Sequence, residues 1–128
     1  MSAQVGSHIF NATQVEGIYS RSLGLIGAFG AGVTGSDSAK LFLEFPFSLQ
    51  RSRLAWSDTS RTSVSYFSGK EVFTAFPRFG RVEVSLYAND TVNHIFEGAF
   101  TGILYNPLNS SDSLKINGKF NSTDSVQP

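Results

Sequence analysis

The chain has no cysteine among its 128 residues. That removes a disulfide framework, a thiolate zinc site and a cysteine nucleophile together. It also has no excess of either charge, since 10 Lys and Arg balance 10 Asp and Glu. Nucleic-acid binding needs a basic footprint facing the phosphates, so no nucleic-acid partner is expected. No polybasic run points to an anionic membrane surface. No apolar run approaches the roughly 18 residues of a membrane-crossing helix, so no transmembrane segment is expected. The opening Met1-Ser2-Ala3-Gln4 lacks a charged region leading into an apolar one, so no export signal is read in this chain. Helical periodicity is missing too: no useful window places apolar residues at i, i+3, i+4 and i+7.

What is present is aromatic. The chain carries 12 Phe and 4 Tyr against 1 Trp and 1 Met, a composition that suits pleated, half-buried surfaces. Alternation with period two is the dominant pattern. Leu41, Leu43, Phe45 and Phe47 share one face. Val82, Val84 and Leu86 alternate with Arg81, Glu83, Ser85 and Tyr87. Leu114, Ile116, Gly118 and Phe120 alternate with Lys115, Asn117 and Lys119. Three such segments predict half-buried antiparallel strands. Segment 20–29 is apolar on both faces. Segments 62–67 and 71–76 read as a hairpin turning at Ser68-Gly69-Lys70. Segment 93–105 reads as the longest strand, with Phe96, Gly98, Phe100, Gly102 and Leu104 on one face; its glycines beneath large aromatics suggest bending or close packing. The Gly- and Ser-rich stretch Ala31 to Ala39 reads as a loop. The expectation is one all-β domain over 1–128, a single antiparallel β-sandwich or partly open β-barrel of seven to eight strands. Residues 1–7 and 122–128 are expected as tails. The longest connection, 48–61, is expected to be functional if any loop is.

The second half has a recognisable order of features. Phe79-Gly80-Arg81-Val82-Glu83-Val84 enters a strand after a Gly, and Asn89-Asp90-Thr91 makes a turn. Phe96-Glu97-Gly98-Ala99-Phe100-Thr101-Gly102 contains a Gly-x-Phe step, and Ser113-Leu114-Lys115-Ile116-Asn117-Gly118-Lys119-Phe120 ends in another. This resembles a family of uncharacterised, mostly lipoprotein-borne β domains of Bacteroidetes. Phe10-Asn11-Ala12 through Val15-Glu16-Gly17 is similar to that family's opening, with Tyr19 as its aromatic. The resemblance covers about residues 9–121, and 48–61 departs from it. It implies an exported, extracellular or cell-envelope setting, and no catalytic residue.

Few residues offer chemistry. His8 and His94 stand in no metal-ligand spacing, so no metal and no cofactor is expected. Serine is plentiful, but no G-x-S-x-G elbow follows a strand. The strand acids Glu44, Glu71, Glu83 and Glu97 read as solvated positions opposite the core; a small hydrolase using Glu44, Glu83 or Glu97 is the third of three readings. Arginines carry the first. Arg51, Arg53 and Arg61 accompany Trp56, and Arg78 and Arg81 flank Phe79. Guanidinium beside an aromatic face suits sugars and anionic glycans; the plain alternative is a solvated loop with Trp56 over the sheet edge.

All five aspartates precede Ser or Thr. In four of those pairs an aliphatic residue follows. This resembles the acceptor motif of protein O-glycosylation in Bacteroidetes, which makes Ser38, Thr91, Ser113 and Ser125 candidate O-glycan acceptors. Four N-x-(S/T) sequons, at Asn11, Asn89, Asn109 and Asn121, would accept N-glycans if the source were eukaryotic. Ordinary turn chemistry explains the same residues equally well. The leading expectation is an exported, non-enzymatic binding module for a glycan or surface protein. The second is a subunit that self-associates into a surface fibre, layer or virion part, on the grounds of zero net charge, a Phe-rich sheet and tails that could add a strand to a neighbour.

Overall fold

The computed structural model describes residues 1–20, 22, 24–35, 37–46, 54–56, 61–69, 71–75, 80–90 and 95–127. Every element among them is a β-strand: β1 Ser2–Val5, β2 His8–Ser20, β3 Leu25–Thr34, β4 Asp37–Pro46, β5 Leu54–Trp56, β6 Ser63–Ser68, β7 Glu71–Ala75, β8 Arg81–Asp90, β9 Ile95–Asn106 and β10 Asn109–Gln127. Among the described residues no helix is long and apolar enough to cross a membrane.

The strands form one sheet that closes on itself. β2, β3, β4 and β6 pair in turn, and β6 pairs with β7. β9 takes β8 and the end of β7 on one edge and β10 on the other. β1 then lies between β10 and β2, antiparallel to both. The register that sets Val64 opposite Ala75 is the same one that sets Trp56 opposite Glu83. β5 and β6 are therefore two parts of one stave, β7 and β8 two parts of the next, and the barrel has eight staves. Of the two architectures expected, the barrel is the one formed, and it is closed.

Alternation places the core. Ala39, Leu41, Leu43 and Phe45 of β4, Val82, Val84 and Leu86 of β8, and Phe96, Phe100 and Leu104 of β9 all point inward and are buried. Phe10, Ile26, Val64, Ile116 and Phe120 complete the filling. The outer face carries Glu16, Lys40, Glu44, Arg81, Glu83, Lys115 and Lys119. An apolar lumen under a charged exterior is the reverse of a transmembrane β-barrel.

Two pairs of residues close the curve between β9 and β10. Phe100 faces Gly118, and Gly98 faces Phe120. A Cβ on Gly118 would stand 2.5 Å from the Ser2 carbonyl oxygen, 2.6 Å from Phe100 Cζ and 2.7 Å from Ala3 Cβ, and one on Gly98 would run into the Ser85 carbonyl oxygen and meet the Phe120 ring at 3.0 Å. Each ring thus lies in the space its partner's missing side chain leaves, which lets a sheet this small bend tightly.

Several expectations need correction. Residues 1–7 are not a tail: Ser2–Val5 is the stave that completes the barrel, with Ala3 and Val5 buried. Residues 122–127 are not a tail either, because β10 runs past β1 and its Asp124–Gln127 pairs in parallel with Gly17–Ser20. That makes β10, not β9, the longest strand. Ala31 to Ala39 is not a loop. β3 continues to Thr34 and β4 begins at Asp37, because Gly32 serves a close approach instead of a turn: a Cβ there would run into the Asn11 carbonyl oxygen. The connection 48–61 is broken by β5.

Candidate functional site

Antiparallel pairing sets residues of neighbouring strands side by side on one face, so a row across the ladder is a fixed set of side chains. Two outward rows meet on β8, β9, β10 and β1. In the first, Arg81 stands opposite Ile103 and Ile103 opposite Lys115. In the second, Glu83 stands opposite Thr101, Thr101 opposite Asn117, and Asn117 opposite Gln4. Thr101 is short between Glu83 of β8 and Asn117 of β10. The result is an open groove of about 600 Å3 along the outside of the barrel.

Arg81, Thr101, Lys115, Asn117 and Gln4 are exposed, and Glu83 is half-buried. Ile103, 39% exposed, forms an aliphatic floor. The turn after β1 is tied to the groove's edge, where the Gly6 amide donates to the Lys115 carbonyl at 2.8 Å. A cation therefore stands on each side of an apolar patch, with amide, hydroxyl and carboxylate groups in the adjoining row. Such a surface can receive a ring with one apolar face, hydroxyls at its edge and an anionic substituent.

Of the arginine set, the structure brings Arg81 into this groove. Trp56 belongs to β5, where its backbone stands opposite Glu83, in the groove's second row. Arg61 is exposed ahead of β6. Arg51, Arg53, Arg78 and Phe79 lie outside the described residues. Sequence reasoning missed Ile103, Thr101, Lys115, Asn117 and Gln4 as site residues. The outward parity of Lys115 and Asn117 was legible, but their alignment with Arg81 depends on the β9 register. Gln4 was hidden in a segment read as a tail.

The strand acids do not face one another across this groove. Glu83 lines it, Glu44 lies on β4, Glu71 begins β7, and Glu97 accepts a hydrogen bond from Asn121 Nδ2 at 2.9 Å. Among the described residues no three His, Asp or Glu side chains come together to hold a metal ion. His94 lies outside the described residues, and His8 is exposed at the start of β2.

Ser38, Ser113, Asn11, Asn109 and Asn121 are exposed on strands. Asn89 and Ser125 are strand residues by backbone, and Thr91 lies outside the described residues. Asp37 opens β4, Asp90 ends β8 and Asp112 sits in the irregular register at the start of β10. Asp124 pairs inside the ladder. Asp37, Asp90 and Asp112 thus stand at or near strand ends, where turn chemistry is at home, and Asp124 does not; Asp58 lies outside the described residues. Asn109 shows such chemistry directly, its Oδ1 accepting from the Ser111 amide at 3.3 Å and from Ser111 Oγ at 2.6 Å.

A comparison with protein-family models, curated proteins and solved structures finds no match to this chain.

Proposed function

We propose that the domain is a non-enzymatic binding module that takes an anionic sugar, one bearing a carboxylate or sulfate, in the groove on β8, β9, β10 and β1. The row Arg81–Ile103–Lys115 carries this reading. The aliphatic floor suits the C–H face of a pyranose, and the two cations suit its acidic substituent. Asn117, Thr101 and Gln4 supply neutral partners for ring hydroxyls. The exported, cell-surface setting implied by the resemblance remains part of the proposal. The self-assembly reading drew on zero net charge, a Phe-rich sheet and tails that could add a strand to a neighbour; of these tails, the N-terminal one is β1, which closes its own barrel.

The test is a binding titration with glucuronate-containing and sulfated oligosaccharides against neutral ones of the same length. Acidic oligosaccharides should bind and neutral ones should bind at least several-fold more weakly. Arg81→Ala and Lys115→Ala should each cost roughly tenfold in affinity, the scale of one charge-assisted hydrogen bond. Equal binding of neutral and acidic sugars, or none of either, would sink the reading.

A further inference from the structure

A second concavity lies at the end of the barrel where four turns meet. Its wall comes from Val5, Gly6, Ser7 and His8 at the β1–β2 turn, from Thr34, Gly35 and Asp37 at the end of β3 and the start of β4, from Ser68 and Glu71 of β6 and β7, and from the start of β10. The cavity measures about 560 Å3, within the range of small-ligand sites. Its throat is apolar: Val5 and Phe73 are buried and Leu114 is partly so. At its base the hydroxyls of Thr34 and Tyr66 are buried and satisfy each other at 2.6 Å. Beneath them Phe10, fully buried, meets the Tyr66 ring edge-on at 6.2 Å. The lumen is therefore plugged, and a ligand can occupy the mouth but not the barrel interior.

The rim above this throat is anionic. Asp37, Glu71 and Asp112 come from the starts of three different strands, β4, β7 and β10, and all are exposed. They surround the opening without converging, since no three acidic or histidine side chains among the described residues are placed to hold a metal. An exposed, spread arrangement of that kind offers no closed coordination shell. It fits an organic cation, whose charge is spread over an ammonium group and whose body fills an apolar throat.

We infer that the barrel mouth binds a small amphipathic cation, an aryl- or alkylammonium, with its apolar body between Val5, Phe73 and Leu114 and its ammonium among Asp37, Glu71 and Asp112. This site is separate from the sugar groove and does not depend on it. The cavity fixes the size and the apolar body; the rim fixes the sign of the charge.

The probes are 2-phenylethylammonium, its neutral isostere 2-phenylethanol, and the anion 3-phenylpropionate, titrated by amide NMR at low salt. The ammonium should bind most tightly and the anion least, with shifts at Gly35, Ser68 and Leu114 and none at Thr101 or Asn117. A combined Asp37→Asn, Glu71→Gln, Asp112→Asn variant keeps the shape of the rim. It should bring the ammonium's advantage over the alcohol, expected at roughly tenfold, close to one. Raising the salt should do the same in the unmodified protein. Equal binding of ammonium and alcohol to the unmodified protein would overturn the cationic class. Absence of shifts at the mouth with all three probes would overturn the site.

Discussion

The groove and the mouth are similar in size but are built in opposite ways. The groove lies on four neighbouring strands, and its side chains are placed by ladder register. Residues two apart on one strand therefore deliver Arg81 and Glu83, or Lys115 and Asn117, to the same surface. The mouth draws on four turns far apart in the chain, and nothing in local alternation aligns Asp37 with Asp112. A site on a ladder inherits the rigidity of the sheet, and a site on turns inherits only the positions of strand ends. They nonetheless share two elements. β1 contributes Gln4 to the groove and Val5 to the mouth, β10 contributes Lys115 and Asn117 to the groove and Asp112 and Leu114 to the mouth, and Gly6 lines both.

Removing residues 1–6 is therefore expected to have the largest effect, and to erase the difference by damaging both sites. The deletion exposes the facing edges of β10 and β2 and unburies what Ala3 and Val5 cover. Loss of that apolar burial costs about 2–3 kcal/mol before any ladder bonds are counted. The melting temperature should fall on the order of 10 °C in a circular-dichroism melt. A truncated chain melting within two or three degrees of the parent, a margin well inside that fall, would show that β1 is not needed for closure.

Gly118→Val should come next, and it should act from the groove's side of the barrel. Its Cβ has no room between Phe100 and Ala3, so the strands must part or the ring must leave its place. Overpacking of this kind costs about 1–3 kcal/mol. Chemical denaturation should show the loss, and Phe100→Leu in the same chain should recover part of it by vacating the space. No recovery would mean that backbone contact with Ser2 sets the cost, not the ring.

Tyr66→Phe probes the mouth at a smaller scale. It leaves the Thr34 hydroxyl, 8% exposed, without its partner. A cost of about 1–2 kcal/mol is expected, and adding Thr34→Val should remove most of it, because an apolar pair of similar shape leaves nothing unsatisfied. If the two substitutions are simply additive, the hydroxyl pair contributes nothing as a pair.

Legibility in the sequence followed the same division. Where alternation runs unbroken, as in β4, β9 and β8 as far as Leu86, the inward residues were readable one by one, down to Phe96, Gly98, Phe100, Gly102 and Leu104. β2 was not readable because of the register shift between Ala12 and Gln14. Phe10 and Ala12 point inward before it, while Val15 and Gly17 are the covered residues after it, so no single parity describes the strand. β3 was cut short because glycines that allow close strand approach look like glycines that make turns. β1 was missed because a four-residue strand has too few positions to show a period. The mouth was invisible for a different reason: the hairpin ends that form it meet only once the barrel closes.

The smallest effect on stability should come from the substitutions with the largest effect on binding. Arg81 and Lys115 stand outside a ladder whose hydrogen bonds are made by backbone, and whose core is supplied by Val82, Val84, Leu104 and Ile116 on the other face. Arg81→Ala with Lys115→Ala should therefore shift unfolding free energy by no more than about 0.5 kcal/mol each. The sugar groove should lose its anion preference while the mouth keeps its response to 2-phenylethylammonium unchanged. If unfolding shifts by several times that amount, the two cations hold the sheet together instead of facing a ligand. If the mouth responds as well, the two sites are coupled through the elements they share, at β10 and at the turn after β1, whose Gly6 amide donates to the Lys115 carbonyl. That outcome would replace two independent sites with one linked system, in which occupation of the groove alters the affinity of the mouth and the reverse holds by the same factor.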